Sequence, residues 1–414
     1  MYRLVSTYIA LFMALGVYSQ TRYNLIAPQS DSIYTSSIQY HGEFIAGSNG
    51  LNNEMIHPFL FGGHISDESI QNGLSKLNEK NQFGIDAMNS IQANISLDSL
   101  KQKQLIVRIS SKQHNQISYS KTVAQLAFLG NEQFIGERTN MNGAFERQIN
   151  YNQLGFGIQM NTIENWTFSG ILNLNMGTRF EQIDLPYLQL ETANQARYLQ
   201  LDVNGDYSRN DTNSTSLNWF STGASVDLAA QYMLKREGKE PVIFEFQALD
   251  LGFLTWNDQS INYSADTSIR YTGFQLGELF STDLRFEDIS PDSILDEVEE
   301  NATQSRRTSP LSSWLTFSAQ TSWNQWTAEA GIHARLFTES IPFVYWQQSY
   351  AFTNRFAAHA LLGYGGYQTL HVGLGLNFHY KRFQFTLGSQ NIEGLLFPAE
   401  FGNNNGYFSA CVRF

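Results

Sequence analysis

A chain of 414 residues has room for two or three soluble domains or one large barrel, yet 15% of it is charged and 14% aromatic, where soluble domains carry about 25% charged residues. With 26 Lys and Arg against 38 Asp and Glu, the net charge of −12 leaves no basic stripe to neutralise phosphates, which excludes nucleic acid as a partner. The single cysteine, Cys411, excludes an internal disulfide framework.

Residues 1–19 read as a secretory signal peptide: Arg3 supplies the positive start, an apolar run follows, and Val17, Tyr18 and Ser19 form the cleavage signal. The run is too short to cross a bilayer as a helix, and no later run reaches the roughly 20 apolar residues that a helical span needs. A membrane-spanning form of this chain is therefore a closed barrel, the other structure that satisfies every backbone group in lipid. Residues 20–103 are polar and mixed in period. Within them 34–46 reads as an edge strand, and 67–78, with Asp67 as cap and Ile70, Leu74 and Leu77 at helical spacing, as a short helix. This partly helical N-terminal segment is either a structural filler, contributing a first strand, or a plug that gates a pore.

From residue 104 to 414 the period is two. Leu105, Val107 and Ile109 alternate with polar residues; Leu154 to Met160 and Trp166 to Met176 do the same across a short turn, forming a hairpin with one apolar side. Ala224 to Leu234, Trp326 to Leu336 and Leu370 to Tyr380 continue the pattern. These runs are about 10 to 12 residues long, the length that a tilted strand needs to cross a membrane. Trp166, Trp326, Tyr364 and Tyr380 stand near strand ends, as in the aromatic girdles of two membrane interfaces. The fold expected is all-β: an antiparallel transmembrane β-barrel of about 14 strands, with 12 to 16 as the range. Short turns after Trp323, Thr353 and Tyr380 fall at one end, and long connections at 281–310 and 391–403 at the other. The loop 283–310 carries Asp288, Asp292, Asp296, Glu297, Glu299 and Glu300 before Arg306 and Arg307; it reads as a solvated loop or as a cation or partner site. At the C-terminus Phe408, Ala410, Val412 and Phe414 share one face. A last strand ending on an aromatic is the address read by the barrel assembly machinery, so Phe408, Val412 and Phe414 form the expected assembly signal.

No phosphate-binding loop, His-Glu-x-x-His, Cys-x-x-Cys or Gly-x-Ser-x-Gly word occurs, so the sequence points to no enzyme, no cofactor and no complete metal site. The chemistry-bearing candidates are few. His359 and His371 face each other if the hairpin between them turns near Gly365, as a lumen hydrogen-bonding pair or, with a further ligand, a metal site. Asp250 and Gly252 interrupt an apolar strand, where Gly allows a kink and Asp accepts backbone donors.

Residues 223–232 (Gly-Ala-Ser-Val-Asp-Leu-Ala-Ala-Gln-Tyr), the word Leu-Asp-Leu-Gly-Phe-x-x-Trp at 249–256, Asn262 with Tyr263, and Gly130 with Asn131 carry a resemblance. They look like a Bacteroidota outer-membrane β-barrel family of unassigned function, itself similar in architecture to long-chain fatty-acid transporter barrels and to barrels of type IX secretion and gliding. The resemblance implies the cell outer membrane as location, with its lipid as the surrounding partner, but no catalytic residues. Two functions remain open: binding or passing a small amphipathic or hydrophobic molecule, or serving as a membrane platform for a surface, gliding or secretion partner.

Overall fold

The computed structural model describes residues 25–26, 36–98, 102–163, 165–210, 221–272 and 302–414. The signal-peptide reading at 1–19 and the acids of the 283–310 loop lie outside the described residues. One 19-stranded sheet contains every described strand. Fourteen strands form the closed antiparallel wall: β1 (Ser37–Ser48), β2 (Lys80–Ser96), β3 (Lys103–Ser120), β4 (Ala144–Ile163), β5 (Trp166–Thr192), β6 (Ser221–Arg236), β7 (Lys239–Trp256), β8 (Trp314–Trp323), β9 (Trp326–Arg335), β10 (Ile341–Thr353), β11 (Phe356–Gly366), β12 (Leu370–Tyr380), β13 (Phe383–Ser389) and β14 (Gly402–Arg413). Each pairs with the next, and β1 pairs with β14 from Ser37 opposite Arg413 to Ser48 opposite Gly402. The remaining strands are short or peripheral. Leu199–Arg209 pairs with the far half of β5 and with Ile261–Tyr271, so a small sheet stands above one end of the barrel.

Two strands of the wall come from before residue 104. β1 is no edge: it is hydrogen-bonded on both sides, to β2 and to β14, and so closes the barrel. β2 hid its period because Asn89 stands among its apolar outward residues, where it accepts a hydrogen bond from Tyr40 Oη of the neighbouring strand at 2.8 Å. Between β1 and β2 run two helices, α1 (Asn53–Phe61) and α2 (Asp67–Ser75). Ser66, not Asp67, caps α2, its hydroxyl accepting from Ser69 N–H at 3.1 Å, which leaves Asp67 in the first turn facing the helix dipole. A third helix, α3 (Lys121–Leu129), packs Ala124 on Leu74, Leu77 and Tyr119. A one-turn helix, α4 (Glu393–Leu396), precedes β14.

The pleat sorts the side chains. Ile109, Phe156, Leu172, Phe246, Leu362, Leu374 and Leu387 are exposed on the outside, while their alternating neighbours Arg108, Asn173, Gln247, Leu361 and Thr386 are buried within. β12 has 11 residues, about 36 Å along the strand and about 28 Å of thickness at a tilt of about 40°. Outward aromatic rings crowd the end with short turns: Trp166 packs on Tyr232 at 4.7 Å and Trp326 on Tyr350 at 4.6 Å between ring centroids. The two-residue turns there include Asn165, Gly238, Asn324 and Lys381 with positive φ, the conformation that tight hairpins of right-twisted strands require. The opposite end carries the helices and long connections. Among the described residues no helix is long and apolar enough to cross a membrane.

The seam between first and last strands continues one residue past the ladder. Ser36 N–H donates to Phe414 O at 3.0 Å and Phe414 N–H to Ser36 O at 2.9 Å. Deleting Phe414 removes both bonds, about 0.5–1.5 kcal/mol each, together with an exposed aromatic at the membrane edge. The expected outcome is several-fold less folded barrel, read as the heat-modifiable band of membrane fractions. Undiminished insertion of the truncated chain would count against Phe414 as an assembly determinant.

Candidate functional site

The lumen is built from the inward positions of alternating strands, and charge concentrates on one wall. Arg108 and Lys112 of β3 are two inward steps apart, facing Asp227 of β6 and Asp250 of β7. Arg108, 2% exposed, donates to Asp227 Oδ2 and, at 2.9 Å, to Asn173 Oδ1. Asn173 Nδ2 donates to the same Asp227 oxygen at 3.0 Å. Lys112 Nζ lies 2.7 Å from both Asp250 oxygens, and Gln153 Nε2 donates to Asp250 Oδ1 at 2.8 Å. Asp227 is fully buried, and its second oxygen accepts the backbone N–H of Asp250 at 2.6 Å.

That last bond sits on a β-bulge. The ladder between β6 and β7 loses register between Val226 and Leu228, so Leu249 and Asp250 together oppose Asp227. Asp250 takes φ 59°. The consequence for the wall is a change of phase: Glu245, Gln247 and Leu249 face the lumen before the bulge, and Asp250, Leu254 and Trp256 after it. Gly252 is required for a different reason. A Cβ there would collide with the Ala224 carbonyl and Ser225 Cα of β6. Trp256, fully buried, donates through Nε1 to Ser309 Oγ at 2.9 Å.

One inward step beyond Lys112 on β3, His114 Nδ1 donates to Asp86 of the adjacent β2 at 2.7 Å, and Arg335 Nη1 of β9 donates to the same oxygen at 2.6 Å. The Arg335 guanidinium lies 4.0 Å above the Trp314 ring and donates to Tyr367 Oη at 3.2 Å. A cavity of about 100 Å³ is lined by members of both charged networks. Its apolar lining comes from Ile45, Met88, Tyr151, Leu249, Trp314 and Tyr345, with Glu43, Glu245 and Glu329 as further acids. A second cavity of about 60 Å³ adjoins it across Arg335 and Trp314.

Apolar clusters flank the cavity toward both ends of the barrel. Toward the turn end Leu25 and Ile26, 0% and 2% exposed, pack inside the barrel on Ile106, Ile171 and Ala229; Met88 and Leu249 touch this cluster and also line the cavity. Toward the loop end Leu311 is fully buried among Ile149, Tyr151, Phe180, Leu254 and Trp256. Beside it Ser313 Oγ donates to Asp250 O at 2.8 Å and Leu336 N–H to Ser313 O at 2.8 Å.

The two histidines do not face each other. His359 stands opposite Gly375 and His371 opposite Gly363, because the hairpin is centred on Tyr367 and not on Gly365. A shift of two in the turn displaces cross-strand partners by four, about 13 Å along the strand. Each ring has its own partners: His359 meets Tyr407 Oη and Asn377 Nδ2, while His371 donates to Gly365 O at 2.8 Å and accepts from Gln368 Nε2 at 2.8 Å. Among the described residues no three His, Cys, Asp or Glu side chains are grouped to hold a metal. The charged lumen residues that periodicity did not single out are Arg108, Lys112, Asp227, Asp86, His114 and Arg335. Their signal is charge on inward faces otherwise made of Gly, Asn, Gln and Ser.

A closed 14-strand barrel with an apolar belt and a charged, partly hollow lumen defines a transmembrane β-barrel of the bacterial outer-membrane type. Residues 40–390 match the model of a family of unknown function, DUF5723, and the chain belongs to that family. No curated protein matches the sequence. Among solved structures the chain is similar to a Pseudomonas aeruginosa FadL homologue, with 7% identity and a TM-score of 0.42 over 92% of this chain and 90% of that one. It is also similar to the Pseudomonas putida toluene transporter TodX, with 9% identity, a TM-score of 0.39 and coverage of 92% and 90%. The translocator domain of the Neisseria meningitidis autotransporter NalP aligns over 100% of this chain and 96% of its own, with 7% identity and a TM-score of 0.37.

Asp227 supports Arg108, the Asp250 backbone and Asn173 at once. Asp227→Ala leaves Arg108 buried without its carboxylate and is expected to cost about 3–5 kcal/mol, read as a lower midpoint of urea unfolding in detergent. The pair Arg108→Met with Asp227→Leu is expected to recover most of that loss. A double variant no more stable than the single one would show that the network does more than neutralise charge.

Proposed function

We propose that this protein, exported by the signal at 1–19, resides in the outer membrane with its long connections outward, and binds or passes a small amphipathic or hydrophobic molecule through its lumen. The observation that carries the reading is the cavity beside the charged networks, apolar where Met88, Leu249, Trp314 and Tyr345 line it and flanked by apolar clusters toward both ends. A filler role alone would leave no such space, since interiors normally pack without voids larger than a water. The charged network then holds the wall rigid, and Leu25 with Ile26 acts as a cork at the turn end. A Bacteroidota source and insertion by the barrel assembly machinery, through Phe408, Val412 and Phe414, complete this reading.

A second reading has its own observation. Phe61, Leu395, Leu396 and Phe397 are each more than half exposed at the loop end, and α1 is tied to α4 by Asn53 Nδ2 donating to Gly394 O at 2.8 Å. An apolar ledge on a braced support suits a platform for a surface or secretion partner.

The two readings separate by experiment. Leu25→Asp with Ile26→Asp places two charges in an apolar socket, expels the cork and is expected to raise single-channel conductance several-fold in planar bilayers. Mass spectrometry of protein purified with native lipids is expected to find a hydrophobic small molecule in the wild type. No ligand and no conductance in either form would sink the transport reading and leave the platform.

A further inference from the structure

Arg147 lies on the loop-end stretch of β4. Its partner across the ladder is Gln182, beyond Met176 where the outward apolar run of β5 ends, so it stands above the lipid belt. It is 5% exposed. Its Nη1 donates to Phe337 O at 2.9 Å and its Nη2 to Pro310 O, while its Nε has no protein partner among the described residues. Opposite it on β3, Gln116 accepts from Glu339 N–H at 3.2 Å, and its own Nε2 is likewise unpartnered among the described residues. Burial and the neighbouring Arg307 together lower the Arg147 pKa to about 10. A buried guanidinium is thus balanced by two carbonyl dipoles, and those carbonyls belong to the two outer segments that roof the cavity.

Such a cation is poorly compensated. Carbonyls bring no charge, whereas a carboxylate or phosphate forms charge-assisted, often bidentate, bonds to arginine. The ion pairs elsewhere in the lumen already satisfy Arg108, Lys112 and Arg335. The acids Glu43, Glu245 and Glu329 on the cavity wall repel an anion from the lower lumen, and Arg147 with Arg307 draws it to the roof.

We propose that Arg147 is the anchor for an anionic group, a carboxylate or phosphate monoester, of the molecule that occupies the cavity, and that this group displaces the carbonyls of Pro310 and Phe337 and so loosens the roof. The inference rests on the lumen being a ligand site. The cavity begins at His114, one inward step from Gln116 on β3, and at Tyr151, two inward steps from Arg147 on β4, and takes the apolar body, so charge at the roof and chain in the cavity specify an amphipathic anion.

The test compares ligands of equal chain length: decanoate, decanol and decyltrimethylammonium, titrated into the full-length barrel in nanodiscs. Decanoate is expected to bind about ten-fold tighter than the other two, the advantage of one charge-assisted contact, and to speed hydrogen exchange at 336–340. Arg147→Gln is expected to abolish that preference, decanoate and decanol then binding alike, and Arg147→Lys to retain part of it. Equal binding of decanoate and decanol by the wild type, or an undiminished preference in Arg147→Gln, overturns the assignment and leaves Arg147 as a clamp on the loops. Failure of all three probes to bind overturns the lumen reading itself, a result distinct from equal binding.

Discussion

In hydrocarbon a backbone N–H or C=O has no partner except another peptide group, and an unpaired one costs several kcal/mol. The pairing of β1 with β14 is therefore the contact on which the molecule depends: without it both strands present an open edge to lipid. Closure fixes the register of every strand in between, because a slip of one residue would turn Leu172 and Leu374 inward and Asn173 and Gly375 outward. An apolar exterior follows from the solvent, and a polar interior from the remaining half of the pleat.

A polar interior creates its own difficulty, since charges inside the barrel are shielded from bulk water. The wall answers it with reciprocal pairs, Arg108 with Asp227 and Lys112 with Asp250, each carboxylate also taking amide or backbone donors. The bulge in β7 belongs to the same solution. By placing Leu249 and Asp250 on the same side it lets one strand supply an apolar cavity wall and a carboxylate at one level, and Asp227 takes up the N–H that the bulge would otherwise orphan. The Leu-Asp-Leu-Gly-Phe word is thus explained residue by residue: Asp250 for the network, Gly252 for the approach of β6, Trp256 for the packing above.

The sequence makes the architecture readable wherever one strand's period stands alone. Leu370 to Tyr380 alternates without interruption and is β12; Trp326 to Arg335 is β9. Legibility falls where neighbours intrude. Asn89 faces outward because Tyr40 on the next strand satisfies it, and the period of β2 is blurred as a result. The lumen is less legible still, since its contacts join strands far apart in the chain: Arg335 reaches Asp86 across 249 positions, and Lys112 reaches Asp250 across 138. Alternation says that these residues point inward but not which of them meet. The histidine pair shows the same limit at short range, where moving one turn by two residues separates two rings.

The contacts that flank the two ends of the cavity are held by different forces. Leu25 and Ile26 are held by apolar contact, about 1.5–3 kcal/mol for each fully buried side chain, and non-directional. The roof is held by directed bonds: Arg147 to two carbonyls, Ser313 to Asp250 O, and Lys80 to Glu339 at 3.0 Å. An apolar solute competes with the first closure by offering the same kind of surface. It has nothing to offer the second, which yields to a charged group. On the proposed reading, a molecule that displaced both sets of contacts would carry an apolar part and a polar one, and this asymmetry, more than the size of the cavity, narrows the chemistry of a lumen ligand.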